Sequence, residues 1–137
     1  MSDEVFTGSC LCGKATYEIR QPFVFFQYCH CSRCRKTSGS AHAANILVTA
    51  DAFRWTAGEA DVRRWEAPDA ERFCNAFCTQ CGSKMPWQTR NGKAYLVPAG
   101  TLDDDPKASP ERNIFWGSRA EWYLATGEVP AFEEIPR

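Results

Sequence analysis

Eight cysteines in a chain of 137 residues constrain the fold more than any other feature. They fall into three groups: GSCLCG at 8–13 holds Cys10 and Cys12, CHCSRC at 29–34 holds Cys29, Cys31 and Cys34, and CNAFCTQCG at 74–82 holds Cys74, Cys78 and Cys81. A C-x-x-C turn followed by glycine presents two thiolates to one ion, and a C-x-C pair supplies two more. Zinc takes four ligands at tetrahedral angles, with sulfur at about 2.3 Å. Joining Cys10 and Cys12 to Cys78 and Cys81 closes such a four-cysteine site and ties the start of the chain to its second half. Cys29, Cys31 and Cys34 then cap a second ion from one side. Its fourth position falls to Cys74, His30, His42, water or an outside ligand. The spacing favours two metal sites per chain. Four disulfides, a single site with spare thiols, and two purely structural sites are the competing readings.

The opening residues MSDEVFTGSC contain two acidic side chains and no apolar stretch, which does not read as a secretory signal. No apolar run approaches the ~18 residues of a membrane span. The expected location is therefore the cytoplasm, where thiols stay reduced and clustered cysteines bind metal rather than pair. A formal net charge of −1 argues against a chain whose main task is holding nucleic acid, because phosphate binding needs a basic face. The 44% apolar and 13% aromatic content suffices for a core without disulfides.

Short alternating or β-branched runs recur between single Pro and Gly residues, at 14–19, 23–28, 43–49, 53–55, 61–66, 72–77 and 94–99. The first places Ala15, Tyr17 and Ile19 on one face, Thr16 and Glu18 on the other. This pattern predicts an all-β or mostly β domain spanning 1–137, with one or two short helical turns. One turn is expected over 32–39, with Ser32 as N-cap and Gly39 closing it. The other is expected over 118–127, between Ser118 and Gly127. The tail 128–137 reads as extended, and the five tryptophans mostly as core.

These motifs, in this order, resemble the glutathione-dependent formaldehyde-activating enzyme family, whose domain is shared with centromere protein V. GSCLCGKATYEI at 8–19, CHCSRCRKTSGS at 29–40, FCTQCGSKM at 77–85, PAGTLDDDP at 98–106 and IFWGSRAEWY at 114–123 carry the resemblance, over about residues 8–123. It implies a zinc-stabilised β-tent fold. It implies a structural zinc on Cys10, Cys12, Cys78 and Cys81, and a second zinc with an open position on Cys29, Cys31 and Cys34. It also implies a carbon–sulfur lyase that reversibly joins formaldehyde and glutathione into S-(hydroxymethyl)glutathione. The alternatives are a non-catalytic zinc-stabilised binding module and a glutathione sensor. One departure stands out: relatives often carry histidine in the segment before IF, where this chain has Asn113. Asn hydrogen-bonds but does not shuttle protons near neutral pH.

An incoming glutathione sulfur is the expected fourth ligand of the open zinc. Zinc coordination deprotonates a thiol, and attack on an aldehyde then leaves an oxyanion that needs a donor. Arg33, Arg35, Lys36 and a backbone N–H near Gly39 are candidates, with Arg35 favoured as part of the matched motif. Alternation along an extended segment points His30 away from the thiols flanking it, towards packing. Cys74 reads as a buried apolar thiol, and the DDD run at 103–105 as a turn before Pro106.

Overall fold

A computed structural model describes residues 4–123 and 127–136. Ten strands and one helix follow in order: β1 Val5–Ser9, β2 Thr16–Arg20, β3 Phe25–Cys29, α1 Ser32–Ser38, β4 Ala43–Thr49, β5 Phe53–Ala57, β6 Val62–Glu66, β7 Cys74–Cys78, β8 Trp87–Gln88, β9 Ala94–Pro98 and β10 Arg112–Ile114. The chain is mostly β, as the alternating runs predict. Strands β1, β2 and β5 form one antiparallel sheet, β6 and β7 a hairpin-like pair, and the order β10-β3-β4-β9-β8 a five-stranded sheet. Only β10 runs parallel to its neighbour β3 among the paired strands, with Ile114 opposite Cys29. No described helix is long and apolar enough to cross a membrane.

Period-2 burial builds the core. Ala15, Tyr17 and Ile19 are fully buried, and Phe6, Ile46, Val48, Phe53, Met85 and Val97 pack with them. Each large apolar side chain removed from water contributes roughly 1.5–3 kcal/mol. Phe53 stacks between Tyr17, centroids 5.5 Å apart, and Tyr95, at 3.9 Å. The Tyr17 hydroxyl shares a 2.6 Å hydrogen bond with the Thr101 hydroxyl, so its polar tip is satisfied inside the core. Gly8 lies across from Tyr17 in the β1–β2 ladder. A Cβ there would sit 2.2 Å from the Tyr17 ring, so only glycine lets the two strands close over it.

The differences from expectation have local causes. The α1 N-cap is Cys31, not Ser32: its backbone is extended and its sulfur accepts the Cys34 N–H at 3.3 Å. Gly39 closes the helix in the left-handed region, as expected. The helix expected over 118–127 is not formed in its described part. A single 3-10 turn at Trp116–Ser118 ends at Arg119, whose extended backbone stops it, and residues 124–126 lie outside the described residues. The tryptophans are not mostly core, because Trp65, Trp116 and Trp122 are exposed. The acidic run is a turn: Asp103 accepts the Ser9 hydroxyl at 2.7 Å, and Asp104 accepts the Thr7 N–H at 2.7 Å, lashing this segment to β1.

Candidate metal centres and the cavity beside them

Two tight turns make the first centre. After β1, the Cys10 carbonyl accepts the Gly13 N–H at 3.0 Å, and the Cys10 sulfur accepts the Ala15 N–H at 3.3 Å. After β7, the Cys78 carbonyl accepts the Gly82 N–H at 2.8 Å, with Gly82 at a φ of 78° that favours glycine. Leu11 N–H donates to the Ser83 hydroxyl at 3.0 Å and joins the two turns. The sulfurs of Cys10, Cys12, Cys78 and Cys81 lie within 4.8 Å of one another. Cys10 and Cys12 are 3.6 Å apart and Cys12 and Cys78 3.8 Å, too far for disulfides. Four sulfurs about 2.3 Å from a shared ion would stand about 3.8 Å apart along each tetrahedral edge. The donor set fits.

Like charges divide within the group. The Ser83 side chain, with backbone N–H groups of Ser83 and Cys12, holds the Cys81 thiol down to about 5. At Cys12 the Lys14 backbone N–H opposes the rise, but lost solvation and the neighbouring sulfurs push the thiol up to about 11. Four thiolates do not coexist here without a cation.

The second centre forms where β3 gives way to α1. Cys29 ends β3, Cys31 caps the helix and Cys34 occupies its first turn, and the three sulfurs lie within 4.8 Å of one another. Cys29 and Cys34 are buried and Cys31 half-buried. A hydrogen bond from Cys34, helped by the Cys31 backbone, holds the Cys29 thiol down to about 6 against burial. The same contact, with burial, holds the Cys34 thiol strongly up.

These three sulfurs border a cavity of about 590 Å³. Its walls include Phe73, Trp87, Leu96 and Phe115, and its polar lining includes Arg33, Arg72 and Lys84. Residues 33, 34 and 37 of α1 face it at helical spacing, while Arg35 and Lys36 are not among its lining residues. The motif arginine expected to act on substrate is half-buried, with its Nε buried and without a hydrogen-bond partner. Arg33 lines the wall but is committed to the Asp69 carboxylate at 3.6 Å and the Asp69 carbonyl at 3.4 Å. The segment 67–73 closes one side. Arg90 grips it by donating to the carbonyls of Ala67, Ala70 and Phe73, each at 2.9 Å.

His30 points away from the sulfurs, as alternation requires. It is fully buried, 2.8 Å from its Nε2 to Asn113 Oδ1, with its backbone N–H donating to the Ile114 carbonyl at 3.0 Å. The rings of His42, Trp116 and Tyr123 surround it, with centroids 5.0, 5.0 and 5.2 Å away. His42 rests on Tyr28 at 4.1 Å, and its Nδ1 lies 3.1 Å from the Ala43 carbonyl. Burial lowers the His42 pKa. Neither histidine joins a thiol group, and Asn113 does not line the cavity.

Cys74 is fully buried and belongs to neither group, but it lines the cavity and its sulfur accepts from Arg64 Nη2 at 3.2 Å. Strand β7 therefore joins the two regions, with Cys74 at the cavity end and Cys78 in the four-thiol group. Four residues of strand separate them by about 13 Å. The sequence reading missed Lys84. Its signal was a lysine three residues past Cys81 that opens the apolar stretch Met85-Pro86-Trp87. Lys84 Nζ donates to Asn75 Oδ1 at 2.6 Å. Burial lowers its pKa, and the charge of Cys34 pulls it back up.

Fold and sites together define a class: small, mostly β proteins built around two cysteine-rich candidate metal centres, one wedged between turns and one opening onto a cavity. The family model for the glutathione-dependent formaldehyde-activating enzyme matches residues 5–118, and the chain belongs to that family. A curated protein of Halomonas elongata, which carries the same enzyme name with provisional status, is 30% identical over 126 residues, covering 84% of this chain and 77% of that protein. A crystal structure of a Rhodobacter sphaeroides protein superposes with a TM-score of 0.61 at 22% identity, over 78% of this chain and 97% of that one, which supports the fold.

Proposed function

We propose that this chain is a zinc-dependent carbon–sulfur lyase that reversibly joins formaldehyde and glutathione into S-(hydroxymethyl)glutathione. The observation that carries the reading is the group of three sulfurs of Cys29, Cys31 and Cys34 at the wall of a cavity large enough for a tripeptide. Seven thiols in two sets suit zinc, which favours soft sulfur donors at this spacing. Cys10, Cys12, Cys78 and Cys81 would hold a structural ion, and Cys29, Cys31 and Cys34 a second one. When bound at the three-thiol group, zinc supplies a positive centre that favours the thiolate form of an incoming thiol.

The remaining work belongs to the chain. Phe73, Trp87 and Leu96 give the cavity an apolar wall, beside which charge interactions are stronger than in open water. Arg72, exposed at the wall, offers charge to a glutathione carboxylate. The glutathione sulfur adds to the carbonyl carbon, the carbonyl π pair moves to oxygen, and protonation of that oxygen completes the hydroxymethyl group. The reverse path breaks the same carbon–sulfur bond.

Exchange between formaldehyde, glutathione and the adduct, followed by NMR, tests the reading. Acceleration above background that Cys34→Ser removes, with the fold retained by circular dichroism, is the expected result. Glutathione bound without acceleration would make the chain a sensor instead, and neither binding nor acceleration would leave it a binding module.

A further inference from the structure

Of the three cations that line the cavity, two are already satisfied. Arg33 is paired with Asp69, and Arg72 is exposed to water. Lys84 differs from both. It is half-buried, no ion pair among the described residues involves it, and its one hydrogen-bond partner is the neutral amide of Asn75. An ammonium carries three N–H donors, so two remain beyond the bond to Asn75, on a residue that lines the cavity.

Its position is fixed from both ends. Lys84 bridges to Phe77 on β7, the Cys78 N–H donates to the Ser83 carbonyl at 2.9 Å, and the Met85 N–H donates to the Ala76 carbonyl at 2.9 Å. Met85, next to it, is fully buried. The charge therefore stands on backbone pinned to β7, lining the same cavity as Cys29, Cys31 and Cys34.

We propose that Lys84 is a catalytic residue of this site, whose ammonium donates an N–H to the aldehyde oxygen as negative charge gathers there. The inference rests on the lyase reading and adds the donor that it requires. As the sulfur lone pair forms the carbon–sulfur bond, the carbonyl pair comes to rest on oxygen beside a preorganised cation. A water proton then completes the hydroxyl and Lys84 keeps its own. Arg35 and Lys36 are not among the residues that line the cavity.

The test compares Lys84→Met and Lys84→Arg with the zinc-loaded wild type. Formate, a one-carbon anion, serves as probe for the oxyanion position and is titrated by calorimetry into protein saturated with glutathione. Lys84→Met is expected to weaken formate at least about tenfold while glutathione affinity stays within about twofold, and Lys84→Arg to retain most of the formate binding. Adduct exchange should fall on the order of a hundredfold in Lys84→Met at saturating glutathione, the usual loss for one oxyanion donor. The proposal is overturned if Lys84→Met binds formate as the wild type does, or if the wild type binds none. Failure of the wild type to accelerate exchange sinks the lyase reading alone, because the formate comparison needs no turnover. Lys84→Arg, with its charge kept, guards against a variant that merely misfolds.

Discussion

Asn113 serves a buried histidine. Its own side chain lies at the surface, but its Oδ1 stands 2.8 Å from Nε2 of the fully buried His30, whose ring is flanked by Trp116 and Tyr123. The position where the resemblance leads one to expect histidine here hydrogen-bonds His30 behind the three-thiol segment, and it is not among the residues lining the cavity. Asn113→Leu keeps the volume and strips His30 Nε2 of this part-buried partner. We expect a loss of roughly 0.5–1.5 kcal/mol in chemical denaturation, with wild-type glutathione affinity. At this scale the grouping of the cysteines was readable in advance, since their spacing favoured setting the four in two tight turns apart from the three around a helix start. Lys84 was not readable, because a lone lysine beside an apolar stretch looks like any solvated charge until β7 turns it inward. Arg35 shows the converse. Its motif membership suggested contact with substrate, but it is not among the residues lining the cavity.

Among the elements, the strands with clear alternation were legible and the sparse ones were not. Strand β4 at Ala43–Thr49 matches the apolar run residue for residue, because both of its neighbours cover it. Strand β1 carries Phe6 as its buried large side chain, with Gly8 where the pattern needs a second one. Strands β8 and β10 have two and three residues and owe their existence to partners already in place. The segment 67–73 has no regular structure, and three carbonyls held by Arg90 fix it instead. Charged-donor bonds of this kind are each worth roughly 1.5–3 kcal/mol when shielded, and less at the surface where Arg90 lies. In Arg90→Ala, hydrogen exchange at the amides of Ala67 and Ala70 should speed up by about tenfold, the equivalent of about 1.4 kcal/mol, while amides in β4 keep their protection. Unchanged exchange in 67–73 would show that Arg90 is not the clamp.

For the whole molecule, acid reports on both centres. Cys29 and Cys81 have thiols held below the ordinary value of 9.0, at about 6 and about 5. A depressed folded value adds stability that is present above 9.0 and lost as pH falls through these values. An ion must also expel every ligand proton, so falling pH favours its release. Both groups contain a thiol that is held up, Cys34 in one and Cys12 in the other, but the Cys34 group has one sulfur fewer to hold its ion. The three-thiol centre should therefore give up its ion first as pH is lowered, and the four-thiol centre later and together with the fold. Native mass spectrometry across a pH series, run beside circular dichroism, checks the order. Simultaneous loss of both ions would contradict it. The chain from Cys78 to Trp87 carries a further consequence. Its first half supplies two sulfurs to one centre, and its second half supplies Lys84 and Trp87 to the cavity of the other. On the lyase reading proposed above, such a catalyst would be competent only with both centres filled, and its output under metal scarcity would follow the product of two occupancies. Half-filling each independently leaves a quarter of the molecules working, which makes turnover a steeper gauge of metal supply than either centre is alone.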